Sequence, residues 1–106
     1  MRKLSIRVLL LTGLSALSSV VMAASSIGNW NVYYGHLHNH TTVSDGSGSL
    51  DEAYSHARDE GGLDFFSTAD HSEQISSSEW NNTKNVANSY NQDGVFTTFY
   101  AFEWSS

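Results

Sequence analysis

The chain has 106 residues, 11 acidic and 5 basic, with a formal charge of −6. That length holds one domain at most, and the acidic balance argues against a nucleic-acid surface. There is no cysteine, so no disulfide can form and stability has to come from a core, a bound ion or both.

Arg2, Lys3 and Arg7 precede an apolar run from Val8 to Met22, and Ala23 offers a small-residue cleavage position. This pattern predicts a secretory signal peptide over residues 1–23 and an exported protein, periplasmic or secreted. The apolar run is short for a membrane span, so no membrane attachment is expected after cleavage. Residues 24–106 then keep only Arg58 and Lys84 against all 11 acids, a formal charge of −9. Such a surface suits a site in which bound cations offset carboxylates.

Residues 24–31 read as a polar leader. Asn31 to Leu37 alternates loosely with aromatic residues and predicts a first strand, ending in His36-Leu37-His38-Asn39-His40. His38 and His40 are two apart, so on an extended strand end their imidazoles point to one face. Neutral imidazole is a good ligand for zinc, manganese or iron, so the pair can hold one ion. Asp45 adds a carboxylate just beyond. The competing possibility is a His-rich surface loop that binds nothing.

Thr41 to Ser49 is a loop rich in Ser and Gly. Ser49 with Glu52 fits a capping box. Leu50, Ala53, Tyr54 and Ala57 recur at helical spacing, which predicts a helix over 50–60 stopped by Gly61-Gly62. Leu63 to Ala69 is apolar, as a strand covered on both faces should be, and is followed by Asp70-His71. Ser76 with Glu79 repeats the capping box before a helix over 77–91, whose inner face would be Trp80, Thr83, Ala87 and Tyr90. Asp93-Gly94 turns the chain into a third strand, Val95 to Phe102, that ends in Glu103.

The order β-α-β-α-β has connections long enough for parallel strands and predicts an α/β fold. All three strands end in candidate metal ligands: His38 and His40, then His71, then Glu103. In parallel α/β barrels the active site lies at that end of the strands. Asp70 is expected either to orient a ligand or to make an ordinary strand-end hydrogen bond. His56, inside the first helix, is expected to be exposed and without a ligand partner at helical spacing. The aromatic residues Trp80, Tyr90, Phe65 and Phe66 are expected in the core.

Three blocks together, Gly35-His36-Leu37-His38-Asn39-His40-Thr41 with Ser44-Asp45-Gly46, Ala69-Asp70-His71, and Ala101-Phe102-Glu103-Trp104, resemble the PHP (polymerase and histidinol phosphatase) superfamily of metal-dependent hydrolases. The secreted context looks most like its exported bacterial members. The resemblance implies that His38 and His40 ligate one metal ion, with Glu103 shared between ions, and that Asp45 and His71 ligate another. It implies a distorted (βα)7 TIM-like barrel with two or three zinc, manganese or iron ions. The reaction it implies is hydrolysis of a small-molecule phosphoester or related ester by metal-activated water.

There are two departures. His36 stands where relatives often carry Asp or Asn, and is expected to support the ligand cluster from behind, the alternative being that it simply packs. The family's later motifs, which supply further His ligands and a closing Asp-x-His, do not occur in the chain. Residues 24–106 therefore read as the N-terminal part of such a domain, truncated and nearly inactive alone. The alternatives are a non-catalytic exported metal-binding module, an inactive remnant, and an exported interaction domain whose histidines bind no metal.

Overall fold

The computed structural model describes residues 25–105; the expected signal peptide, residues 1–23, lies outside them. The described part is a small mixed α/β unit. Strands β1 (Ser25–Ile27) and β2 (Trp30–Val32) form an antiparallel hairpin. Its two-residue loop starts at Gly28 with φ 61°, as a type II′ turn requires. This hairpin corrects the expected polar leader and the single strand over 31–37. The polar Ser25-Ser26 pair hides a strand whose partner begins at Trp30.

The second sheet has three parallel strands in the order β3 (Gly35–His36), β4 (Phe65–His71) and β5 (Thr97–Glu103). Gly35 lies opposite Phe65, and a Cβ there would come within 2.3 Å of the Phe65 ring. The position therefore requires glycine. The pairing of β4 with β5 is continuous, and it places His71 directly opposite Glu103.

Helix α1 (Leu50–Ser55) is followed without a break by a π-helical stretch, His56–Glu60. The expected helix over 50–60 is thus helical throughout, but its last turn is widened, with the Gly61 amide bonded to the His56 carbonyl at 2.8 Å. Helix α2 spans Ser77–Tyr90. Both helices begin with complete capping boxes, Ser49 with Glu52 and Ser76 with Glu79.

The helices cover one face of the sheet. The core there is Leu50, Tyr54, Ala57, Phe66, Val86, Ala87 and Phe96. Tyr54 is fully buried. Its ring meets Phe66 edge-on at 5.1 Å, and its hydroxyl donates to the Phe99 carbonyl at 2.6 Å. Burial pushes its phenol pKa up. The third strand starts two residues later than expected. Val95 and Phe96 belong instead to a tight turn, where Phe96 bonds back to Gln92 and drops into the core. On the opposite face Leu37 and Phe99 stay about half exposed.

Candidate metal centre

The C-terminal ends of the three parallel strands meet at one edge, and five candidate ligands meet there with them. Glu103 Oε2 is the common point. It lies 3.4 Å from His38 Nε2, 3.0 Å from His40 Nε2 and 3.4 Å from His71 Nδ1. The two Nε2 atoms of His38 and His40 are 3.2 Å apart. On the far side of His40, Asp45 Oδ1 is 2.7 Å from Nδ1, and Asp45 Oδ2 is 3.4 Å from His71 Nε2. Two groups able to hold a metal ion result: His38, His40 and Glu103; and His40, Asp45 and His71.

The first group passes a simple size test. Ligands at about 2.0–2.1 Å in tetrahedral array around zinc stand roughly 3.3 Å from one another. The edges of the His38–His40–Glu103 triangle are 3.2, 3.0 and 3.4 Å. Three electron-rich atoms at this spacing repel unless a proton or a cation lies among them.

The 2.7 Å contact between His40 and Asp45 is a hydrogen bond. A carboxylate only accepts, so Nδ1 carries the proton and Nε2 of the neutral ring is left to ligate. This is the carboxylate–histidine arrangement that orients metal-binding imidazoles. The same bond raises the His40 pKa above the ordinary imidazole value and lowers that of Asp45. Protonation of His40 therefore competes with metal loading. Glu73 adds charge to the rim, 3.8 Å from His71 Nδ1.

Residues 47–106 match the profile of a family described as "Protein of unknown function (DUF3604)". The chain belongs to that family. No curated protein and no solved structure matches it. The DUF3604 segment carries Asp70, His71 and Glu103, whereas His38, His40 and Asp45 lie ahead of it.

Two histidines of this DUF3604 member stand apart from the centre. His36 was expected behind the ligands, but its ring lies 6.3 Å from that of Phe66. It makes no hydrogen bond to His38 or His40 among the described residues. Its strand ends at His36, so shared parity along the sequence does not carry it to the ligand edge. His56 is exposed, as expected, yet it does have a helical-spacing partner. Its Nδ1 is 3.2 Å from Glu60 Oε2, four residues on.

Sequence reasoning left Asp70 open between orienting a ligand and a strand-end hydrogen bond, and passed over its partners Thr41 and Ser44. Asp70 is only 2% exposed and accepts from Thr41 N at 2.7 Å, Thr41 Oγ1 at 3.0 Å and Ser44 Oγ at 2.7 Å. Thr41 itself is fully buried. The available signal was the placement of Thr41 and Ser44 directly beside His40 and Asp45.

Proposed function

We propose that this chain is part of an exported metal-dependent hydrolase of the PHP type, acting on a small-molecule phosphoester or related ester. The observation that supports it most is the meeting of donors from three parallel strand ends at Glu103 Oε2. The PHP-like motifs of the sequence fall at those strand ends. We read β3, β4 and β5 as the opening strands of a distorted (βα)7 barrel, with Leu37, Phe65 and Phe99 on its inner face. Export rests on the basic and apolar character of residues 1–23.

His38, His40 and Glu103 would hold one zinc, manganese or iron ion, and Asp45 with His71 a second. An ion bound there polarises a phosphoryl oxygen and lowers the pKa of a bound water. The chain's own groups do the rest. Asp45 fixes the tautomer and the aim of His40. The carboxylates of Asp45, Glu73 and Glu103 would repel an anionic substrate unless cations offset them, which couples substrate binding to metal loading.

Assay of a generic aryl phosphate with manganese or zinc tests this. Five donors on three strands hold their ions loosely, so slow hydrolysis is expected, abolished by chelator and by His40→Ala. Hydrolysis indifferent to both would overturn the proposal. Tight metal binding without turnover of any phosphoester would identify a non-catalytic metal-binding module.

A further inference from the structure

We propose that Asp70 is the positioning residue of this centre: it clamps the loop carrying His40 and Asp45 onto the strand carrying His71, a role that presupposes the metal centre described above. A buried carboxylate is costly unless hydrogen-bonded throughout. Asp70 meets that condition entirely with neutral donors from one loop, Thr41 N, Thr41 Oγ1 and Ser44 Oγ. No basic side chain pairs with it among the described residues.

The position of those donors is what gives the clamp its effect. Thr41 follows His40, and Ser44 precedes Asp45. The three bonds thus pin the backbone on both sides of the 2.7 Å His40–Asp45 contact. Successive residues of a strand point to opposite faces, so Asp70 holds the loop from behind while His71 faces the ligands. The adjacent Ala69 amide donates to the Asn39 carbonyl at 2.8 Å, fixing the residue between His38 and His40. The loop also closes on itself. Thr41 O accepts from the amides of Ser44 at 3.1 Å and Gly46 at 3.0 Å, and a Cβ on Gly46 would lie 2.2 Å from the His40 carbonyl oxygen. Asp70 is not a ligand itself, because both its oxygens are engaged by the loop.

Cobalt(II) titration of the full chain, followed by its visible absorption, reads affinity and ligand geometry together. Asp70→Asn should weaken cobalt binding roughly 10–100-fold, the range seen when the partners of metal ligands are removed. Because that substitution can also unfold so small a domain, two milder tests accompany it. Ser44→Ala should weaken binding by about tenfold, the lower end of that range, and shift the absorption bands at unchanged circular dichroism. Thr41→Val should do the same, and Thr41→Ser, which keeps the hydroxyl, should restore binding. Cobalt bound by Ser44→Ala and Thr41→Val with wild-type affinity and spectrum would overturn the clamp and leave the metal centre standing. A wild-type chain that binds no cobalt would overturn both.

Discussion

Strands β4 and β5 run side by side in one register, each seven residues long, and each ends in a candidate ligand. Their surroundings differ sharply. The five central residues of β4 are all buried, whereas none of β5 is. β4 sits between two strands under the helices, and its end is locked by Asp70 and by the Ala69–Asn39 bond. Among the described residues β5 has a strand on one side only. It is anchored by its ladder to β4, by the Tyr54 hydroxyl at Phe99, and by Thr98 Oγ1 donating to the Ala87 carbonyl at 2.6 Å. One parallel ladder aligns His71 with Glu103, but β4 adds burial to its hydrogen bonds, whereas β5 is held by hydrogen bonds without a buried residue.

The largest predicted effect separates the two strands directly. Phe66→Ala removes a ring buried against Tyr54 and should cost about 3–5 kcal/mol in urea unfolding. Phe99→Ala, on the half-exposed face, should cost about 1 kcal/mol or less. Equal losses would show that β5 is packed as firmly as β4. Tyr54→Phe comes next. It deletes the hydroxyl that ties the core to β5 and should cost on the order of 1 kcal/mol. A variant with unchanged stability would remove Tyr54 as an anchor of β5.

This contrast explains which parts of the fold were legible in the sequence. Both helices announced themselves, because a capping box is a local event between residues three apart: Ser49 with Glu52, Ser76 with Glu79. The end of β5 was legible because its hydrophobic run stops abruptly at Glu103, whereas β4 begins and ends two residues later than the expected Leu63 to Ala69 and takes in Asp70 and His71. The Asp70 clamp joins residues 26 and 29 positions apart, and nothing local marks that pairing. The departures at Ser25–Val32 and at Val95-Phe96 have a different origin. Short-range pairing, Ser25 with Val32 across a two-residue loop and Gln92 with Phe96, and the burial of Phe96 decided where those strands began. His36 shows the limit of a parity rule, since strand pairing ends with it.

Smaller effects concern acid. Bonds to Ser49 and to Ser76 lower the pKa values of Glu52 and Glu79 below the ordinary carboxylate value of 4.5. A carboxylate whose pKa is lowered by folding stabilises the fold above its ordinary value, and that stability is lost as pH falls through the folded value. Glu52→Gln and Glu79→Gln should therefore lower stability near neutrality, where the charged caps contribute, and flatten the acid limb of the profile below about pH 4.5, where variant and wild type converge. An unaltered acid limb would mean that the caps contribute nothing. His40 has the opposite sign. Its raised pKa favours the protonated ring in the metal-free fold, a contribution present below the ordinary imidazole value and lost as pH rises through the folded one. Zinc competes with that proton, so zinc affinity should climb over the same interval.

Equilibrium dialysis of the chain against zinc, comparing His40→Ala, Glu103→Ala and His56→Ala, tests the shared centre most directly. The three strand ends acting as one site predict that His40→Ala and Glu103→Ala each lose at least about tenfold in affinity, while His56→Ala binds as the wild type does. Zinc retained at full affinity by both His40→Ala and Glu103→Ala would contradict a centre built where β3, β4 and β5 end.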